Sequence, residues 1–155
     1  SVASRGLGDV YKRQTASTAS AADKNQVRRR YLLLGQTVDG MRVWDIQRAV
    51  AAVRSSSVLG KTPITVQAAG DQAVNALYAS LFIDGLADLE LTRLPSSHAT
   101  GPDYLNVLRF LDVPQAAAMA AERQPITLRG ANPDDWSWTS RTARVLGWSP
   151  DRFAW

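Results

Sequence analysis

Two places in this chain carry side chains that could do chemistry. Ser97 and His98 are adjacent, and His98 is the only histidine, so it is the only imidazole available as a general base. Neighbouring residues rarely point at one another, so we expect His98 to be a loop histidine that is hydrogen-bonded to backbone. Asp134 and Asp135 precede Trp136 without further metal ligands nearby, which is typical of a helix N-cap region.

A sharp turn between a strand and a helix is a third candidate. Residues 64–68 (ITVQA) are β-rich, and residues 72–82 (QAVNALYASLF) have apolar side chains at helical spacing. Gly70 and Asp71 lie between these two runs, so a helix begins almost directly after a strand. Asp71 is either a polar group of a site or an exposed aspartate of the turn.

The composition is typical of a globular protein and excludes several classes of chemistry. Hydrophobic residues make up 45% of the 155 residues and charged residues 21%, which is enough to build a core. There is no cysteine, so disulfides, thiolate zinc sites and cysteine nucleophiles are excluded. No apolar run approaches the ~18 residues of a membrane span. The sequence therefore predicts no cofactor, no metal and no membrane.

The first residues do not read as native protein. Ser4 to Gln14 (SRGLGDVYKRQ) resembles the translation of a transposase-type sequencing adapter, so residues 1–14 are left out of fold reasoning. Residues 15–29, which begin with TASTASAA, are predicted to be a linker or loop. Without residues 4–14, which hold three basic residues and one acidic residue, the net charge falls from +4 to +2. So small a charge gives little reason to bind nucleic acid.

The rest of the chain alternates helical and strand patterns. Residues 31–34 (YLLL) are a strand stub or a buried loop, and Arg28 to Arg30 are a solvated loop with one arginine held by a carboxylate. Besides the strand and helix around Gly70, the pattern predicts helices over 41–53, 104–111, 114–122 and 136–146 and strands within 86–94 and over 126–128. Asp39 is a possible N-cap. This order favours an α/β fold with a mostly parallel sheet.

Four tryptophans near the end of the chain have two interpretations. Trp136, Trp138, Trp148 and Trp155 could line a sugar-binding surface by stacking. Ordinary core packing is the favoured interpretation, because aromatic side chains bury large apolar areas.

Residues 30–148 resemble the α/β-hydrolase superfamily, in its acetyl-xylan-esterase-like and prolyl-oligopeptidase-like branch. In that branch a helix with the pattern G-x-R-x-x-D-x-x-R-A precedes the nucleophile strand. Residues 40–49 (GMRVWDIQRA) fit every fixed position. The resemblance implies that residues 30–155 are the C-terminal part of a three-layer α/β-hydrolase-like sandwich, present here in part, from a bacterial protein. The adapter-like residues 4–14 imply a metagenomic fragment assembled from shotgun DNA.

The nucleophile motif of that family is degenerate here. The family has G-x-S-x-G, and in the matching register Ala68 takes the first glycine position, Gly70 the serine position and Gln72 the second glycine position. Gln72 is larger than this turn normally accepts. Asp134 is the candidate for the acid position. The family order is serine, acid, histidine, but no histidine follows Asp134.

The resemblance therefore implies a hydrolase fold without its triad. We expect a non-catalytic domain of a larger esterase-like or peptidase-like protein, with the missing upstream part of the same polypeptide as its partner. The alternative is part of an active carboxylic-ester hydrolase, acetyl-xylan-esterase-like, whose catalytic residues lie outside this segment. A third interpretation, a basic nucleic-acid-binding module, depends on the charge of the first residues. The sequence leaves the substrate and the oligomeric state open.

Overall fold

The computed structural model describes residues 21–154, so the adapter-like segment and Trp155 lie outside the described residues. The helices and strands follow in the order α1 Ala21–Leu33, α2 Val38–Arg54, β1 Thr65–Ala69, α3 Asp71–Ser80, β2 Asp88–Thr92, α4 Val113–Arg123, β3 Ile126–Arg129, α5 Ser137–Val145 and β4 Phe153–Ala154. Short 3₁₀ helices cover Val107–Arg109, Pro133–Trp136 and Pro150–Arg152. None of the helices within residues 21–154 is long and apolar enough to cross a bilayer.

The four strands form one parallel sheet in the order β1-β2-β3-β4. The α/β class and the parallel sheet predicted from the sequence are confirmed. The predicted strands at 64–68, 86–94 and 126–128 correspond to β1, β2 and β3. Strand β4 was not predicted, because two residues are too short to show an alternation.

The sheet has an apolar face and a polar face. The apolar face, which packs into the main core, is formed by Val66, Ala68, Leu89, Leu91, Ile126, Leu128 and Phe153. On the opposite face, Gln67 Nε2 donates to Glu90 Oε2 at 3.0 Å, and Arg129 Nε lies 3.8 Å from the same oxygen. The described helices therefore cover one face of the sheet, and the third layer of the expected sandwich is not among residues 21–154.

Helix α2 has the predicted apolar stripe, with Val43 and Val50 buried. Its N-cap is Thr37 rather than Asp39. The Thr37 hydroxyl accepts from the backbone N–H of Gly40 at 2.9 Å, as an N-cap side chain does. Asp39 instead lies in the first turn, where its negative charge favours the helix N-terminus.

Three predictions for segments outside the sheet were wrong: the helix over 104–111, the strand stub or buried loop at 31–34, and the linker and loop before it. Residues 104–111 are not a helix but a turn around the short 3₁₀ segment, because Asn106 has a positive φ of 56° and the apolar side chains of Leu105, Leu108 and Phe110 are exposed. Residues 31–33 of the YLLL run, and residues 21–30 that were expected to be linker and solvated loop, belong to α1, which is rich in good helix formers. One arginine of this helix is held by a carboxylate, as expected: Arg28 Nε lies 2.6 Å from Asp103 Oδ2.

The C-terminal helices follow their capping signals. Asp112 and Gln115 form a capping box at the start of α4, and Pro114 occupies the first turn. Helix α5 is followed by Gly147 with φ 66°, the left-handed conformation that commonly ends a helix. The helices predicted over 114–122 and 136–146 are therefore confirmed.

Candidate functional site

The turn between β1 and α3 has the tight geometry expected at a strand-to-helix site. Gly70 is the single residue between Ala69 and Asp71, and it has φ 58° and ψ −135°. Side chains rarely adopt such a positive φ, so the conformation favours glycine. A Cβ added at Gly70 would meet nothing within 4 Å. The apex of the turn is therefore open, but it carries no side chain.

The flanking residues do not supply a substitute nucleophile. Ala68 packs against the main core, while Asp71 and Gln72 are exposed at the start of α3. Gln72 Oε1 accepts a hydrogen bond from Asn75 Nδ2 at 3.2 Å. The turn accommodates the large Gln72 side chain because that side chain projects outward.

Among residues 21–154, no hydrogen bond or ion pair joins Asp134 to the turn at Gly70. It lies in the 3₁₀ helix after β3, is exposed, and its backbone N–H donates to Asn132 Oδ1 at 3.3 Å. Strand β2 lies between β1 and β3, so the two loops are about 10 Å apart at two strand spacings. The N-cap of this region is Asn132, two residues before Asp134, where the sequence placed the cap region.

His98 is held in a structural cluster and not in a dyad with Ser97. Its Nδ1 lies 3.3 Å from the carbonyl oxygen of Pro102, and its Nε2 lies 2.9 Å from the hydroxyl of Tyr78. A carbonyl only accepts, so Nδ1 carries the hydrogen and Nε2 accepts from Tyr78. Ser97 Oγ donates to Asp112 Oδ2 at 2.6 Å, away from the imidazole. The expectation of a loop histidine bonded to backbone is confirmed.

Asp112 ties the loop after β2 to the start of α4. Its Oδ1 accepts from the backbone N–H of His98 at 2.7 Å and of Val113 at 2.8 Å. Burial acts to raise the pKa of Asp112, but the hydrogen bonds from Ser97, His98 and Val113 outweigh it and hold the pKa below its ordinary value. The carboxylate form is therefore the one that fits this site.

Replacement of Asp112 by asparagine should remove part of the acid sensitivity of folding. A carboxyl whose pKa is lower in the folded state stabilises the fold above its unfolded pKa, near 4, and this stabilisation is lost as the pH falls through the folded pKa. The wild-type chain should lose this contribution below about pH 4. Urea unfolding from neutral to acid pH measures it, and identical pH profiles for wild type and Asp112→Asn would contradict the assignment.

A second carboxylate, Asp39, ties three parts of the chain together. Its Oδ1 accepts from Arg42 Nη1 at 2.9 Å and from Asn75 Nδ2 at 3.2 Å, and its Oδ2 accepts from the backbone N–H of Asp103 at 3.2 Å. Asn75 is fully buried, and its Oδ1 accepts from the hydroxyl of Tyr104. This network fixes α2, α3 and the loop before α4 relative to one another.

The two tyrosines of these clusters remain protonated. Burial, followed by the negative charge of Asp112, raises the pKa of Tyr78. Burial, followed by Asp39 and Tyr78, raises the pKa of Tyr104 and outweighs the opposite effect of Arg42. Both hydroxyls therefore act as hydrogen-bond donors and not as bases. Their hydrogen bonds to His98 and Asn75 hold the loop between β2 and α4 in place.

An open cleft of about 370 Å³ lies beside this cluster. It is lined by His98, Pro102, Asp103, Tyr104, Asn106, Val107, Leu108 and Arg109. Both ring nitrogens of His98 are already engaged, so the cleft brings no free base next to a nucleophile. Within residues 21–154, no group of three or more His, Asp or Glu side chains could hold a metal ion.

No family model matches the chain, and no curated protein or solved structure shows a significant similarity to it.

Proposed function

We propose that the chain is a non-catalytic α/β-hydrolase-like domain of a larger bacterial esterase-like or peptidase-like protein, with a structural or interaction role. One observation carries the proposal. Gly70 stands at the apex of the strand-to-helix turn, where a serine hydrolase holds its nucleophile in a strained conformation. The backbone has that kind of turn, but the residue has no side chain.

The arrangement of the other polar groups supports the same proposal. A triad needs a nucleophile, a base and an orienting acid in contact. His98 bonds to Tyr78 and Pro102, and Asp112 holds Ser97 and the backbone of the loop. Asp134 is exposed on another loop. A Cβ added at Gly70 would meet no atom within 4 Å, so no described base lies within reach of the apex, which supports a structural or interaction role.

A fluorophosphonate probe tests the proposal, because it labels activated serines covalently. We expect no labelling of the wild-type chain, and none of a Gly70→Ser variant, since a serine alone at this turn lacks a base. A known serine hydrolase serves as the positive control for the reagent. Circular dichroism must show that the variant is folded, because a side chain at this φ costs about 1–3 kcal/mol.

Two results would contradict the proposal. The first is stoichiometric labelling of the wild-type chain that disappears on denaturation, with Ser97→Ala as the variant that tests the serine beside His98. The second is ester hydrolysis by the full-length protein that depends on residues of this domain. If the full-length protein labels only outside this segment, the domain is the inactive companion of an active carboxylic-ester hydrolase.

A further inference from the structure

An open cleft of about 710 Å³ lies between α4 and α5. Volumes of about 300–1,000 Å³ are typical of sites for small organic ligands. None of the residues that line this cleft belongs to the Gly70 turn or to the two carboxylate-centred clusters around Asp39 and Asp112 except Gln115. Large apolar side chains that line it are exposed to solvent, and exposed apolar surface of this kind marks binding sites.

The two helices that form the cleft run in the same direction. Near their starts, Thr139 Oγ1 of α5 donates to the carbonyl oxygen of Pro114 in α4 at 2.9 Å. Near their ends, Nε1 of Trp148, just after α5, donates to Oε2 of Glu122 in the last turn of α4 at 3.0 Å. The C-terminal end of a helix carries a partial negative charge. Two such ends and the Glu122 carboxylate therefore make one end of the cleft negative.

Trp148 is held at this negative end by the turn that follows α5. The backbone N–H of Gly147 donates to Arg144 O at 3.3 Å, and that of Trp148 donates to Ala143 O at 3.0 Å. With the left-handed φ of 66° at Gly147, these two bonds form a Schellman motif. The motif turns the chain back toward α4, and the half-buried indole of Trp148 packs against the main core. The ring is therefore a fixed wall of the cleft beside Glu122.

The other end of the cleft is apolar. Trp138, in the first turn of α5, and Phe110, just before α4, line this end and are 44% and 82% exposed. Met119 lies in α4 between the two ends and is also exposed. Trp138 and Leu146 are eight residues apart, which is about 12 Å along a helix. The cleft thus has an apolar end and a negative end separated by about 12 Å.

The negative end has no cation of its own in the described part of the chain. Glu122 is the one charged side chain among the ten residues that line the cleft. No basic side chain within residues 21–154 forms an ion pair with it, and the neighbouring Arg123 is paired with Asp84. The cation–π contact found among these residues lies on α2, between Arg48 and Trp44. The charge at this end of the cleft therefore favours a cation from outside.

We propose that this cleft binds an organic cation, a quaternary ammonium group that carries an apolar chain. The ammonium group lies against Trp148 and Glu122, because indole rings attract cations more strongly than other aromatic side chains and the carboxylate adds to this attraction. The apolar chain extends toward Phe110 and Trp138 and covers their exposed surface. This ligand gives the proposed interaction role a chemical partner, and it does not depend on the residue at the Gly70 turn.

A stacked sugar suits this cleft less well, because sugars need several polar partners for their hydroxyl groups. Apart from Glu122, the polar side chains that line the cleft are Gln115 and Thr142, and both already bind backbone. Gln115 Oε1 accepts from the N–H of Asp112 at 3.0 Å, and the Thr142 hydroxyl donates to the carbonyl oxygen of Trp138 at 3.1 Å. The lining therefore offers aromatic rings and charge more than free hydrogen-bonding groups.

Hexyltrimethylammonium is the probe, added to the 155-residue chain while the indole N–H signals are followed by proton–nitrogen NMR. Substitution of single tryptophans assigns the signals. We expect saturable shifts at Trp148 and Trp138, and little change at Trp44 and at the buried Trp136. Hexanesulfonate has the same chain and a negative head group, so it should bind at least about tenfold more weakly. Tetramethylammonium, which lacks the chain, should shift Trp148 but not Trp138.

Two substitutions with a matched control locate the binding energy. Glu122→Gln removes the charge but keeps an oxygen that can accept from Trp148, and it should weaken binding of hexyltrimethylammonium about tenfold. Asp134→Asn removes an exposed charge outside the cleft and should change the Kd less than about twofold, since distant exposed charges are screened. Trp138→Leu should weaken binding of hexyltrimethylammonium but not of tetramethylammonium.

Three results would overturn the proposal. The first is the absence of saturable shifts with hexyltrimethylammonium. The second is equal affinity for hexyltrimethylammonium and hexanesulfonate, which would make the cleft a general apolar groove. The third is tighter binding of methyl β-glucoside than of the cation at Trp138 and Trp148, which would make it a sugar site. Fluorophosphonate labelling of the chain would instead overturn only its non-catalytic role.

Discussion

Replacement of Trp136 by alanine should destabilise the fold by about 3–5 kcal/mol, the range for removing a large aromatic side chain from a core. Trp136 is 1% exposed and belongs to the main core cluster. Its ring centroid lies 6.2 Å from that of Phe153 in β4. The indole therefore connects the loop after β3 to the last strand, and its loss would leave a cavity that these short elements cannot close.

Trp138 is the matched control for this prediction. It lies two residues later and is 44% exposed. Its replacement by alanine should cost less than about 1 kcal/mol, as substitutions at exposed positions usually do. Urea unfolding monitored by far-ultraviolet circular dichroism gives both values. Equal losses for Trp136→Ala and Trp138→Ala would show that the core does not depend on Trp136.

The tryptophans near the end of the chain differ in burial and do not all belong to the core. Trp136 is buried, Trp138 is exposed, and Trp148 is half-buried with its indole N–H donating to Glu122 Oε2 at 3.0 Å. Trp138 and Trp148 line the same open cleft, so the stacking interpretation stays a prediction for these two rings. Core packing is confirmed for Trp136, whereas Trp155 lies outside the described residues.

The fold was predictable where a local pattern and burial agree. Helices α3 and α4 bury the apolar faces that their spacing predicted, and β2 alternates between the buried Leu89 and Leu91 and more exposed neighbours. Residues 104–111 have a similar apolar content but form a turn. Leu105, Leu108 and Phe110 are exposed there, so no packing energy offsets the left-handed conformation at Asn106.

The candidate site was predictable only in part, because its residues are contiguous at the Gly70 turn but far apart in sequence in the polar network. The glycine at position 70 and its neighbours are contiguous, so a sequence pattern could locate the turn. The polar network was missed, because Asn75 bonds to Asp39 and Tyr104, which are 36 and 29 residues away. The signal that could have found it is an asparagine between Val74 and Leu77, within a helix whose other buried residues are apolar except for Ser80 at its end.

Replacement of Asn75 by alanine should destabilise the fold by about 2–4 kcal/mol, because it leaves buried polar partners without hydrogen bonds. Asn75 is fully buried and is bonded to Asp39, Gln72 and Tyr104. Its loss would leave the tyrosine hydroxyl without an acceptor and the carboxylate of Asp39 without one donor. The loop before α4 should loosen as well, since Asp39 also holds the backbone of Asp103.

A double-mutant cycle with Tyr104→Phe separates this network from simple loss of volume. Phenylalanine keeps the ring against Tyr78, whose centroid lies 4.8 Å away, and removes only the hydroxyl. If the Tyr104 to Asn75 bond matters, Tyr104→Phe should cost less in the Asn75→Ala background than in wild type. Gln72→Ala, at the exposed end of the network, is the control and should cost less than about 1 kcal/mol. If the losses of unfolding free energy from Tyr104→Phe and Asn75→Ala are strictly additive, Asn75 acts through packing alone. The hydrogen bond between Tyr104 and Asn75 would then contribute nothing to holding the loop before α4.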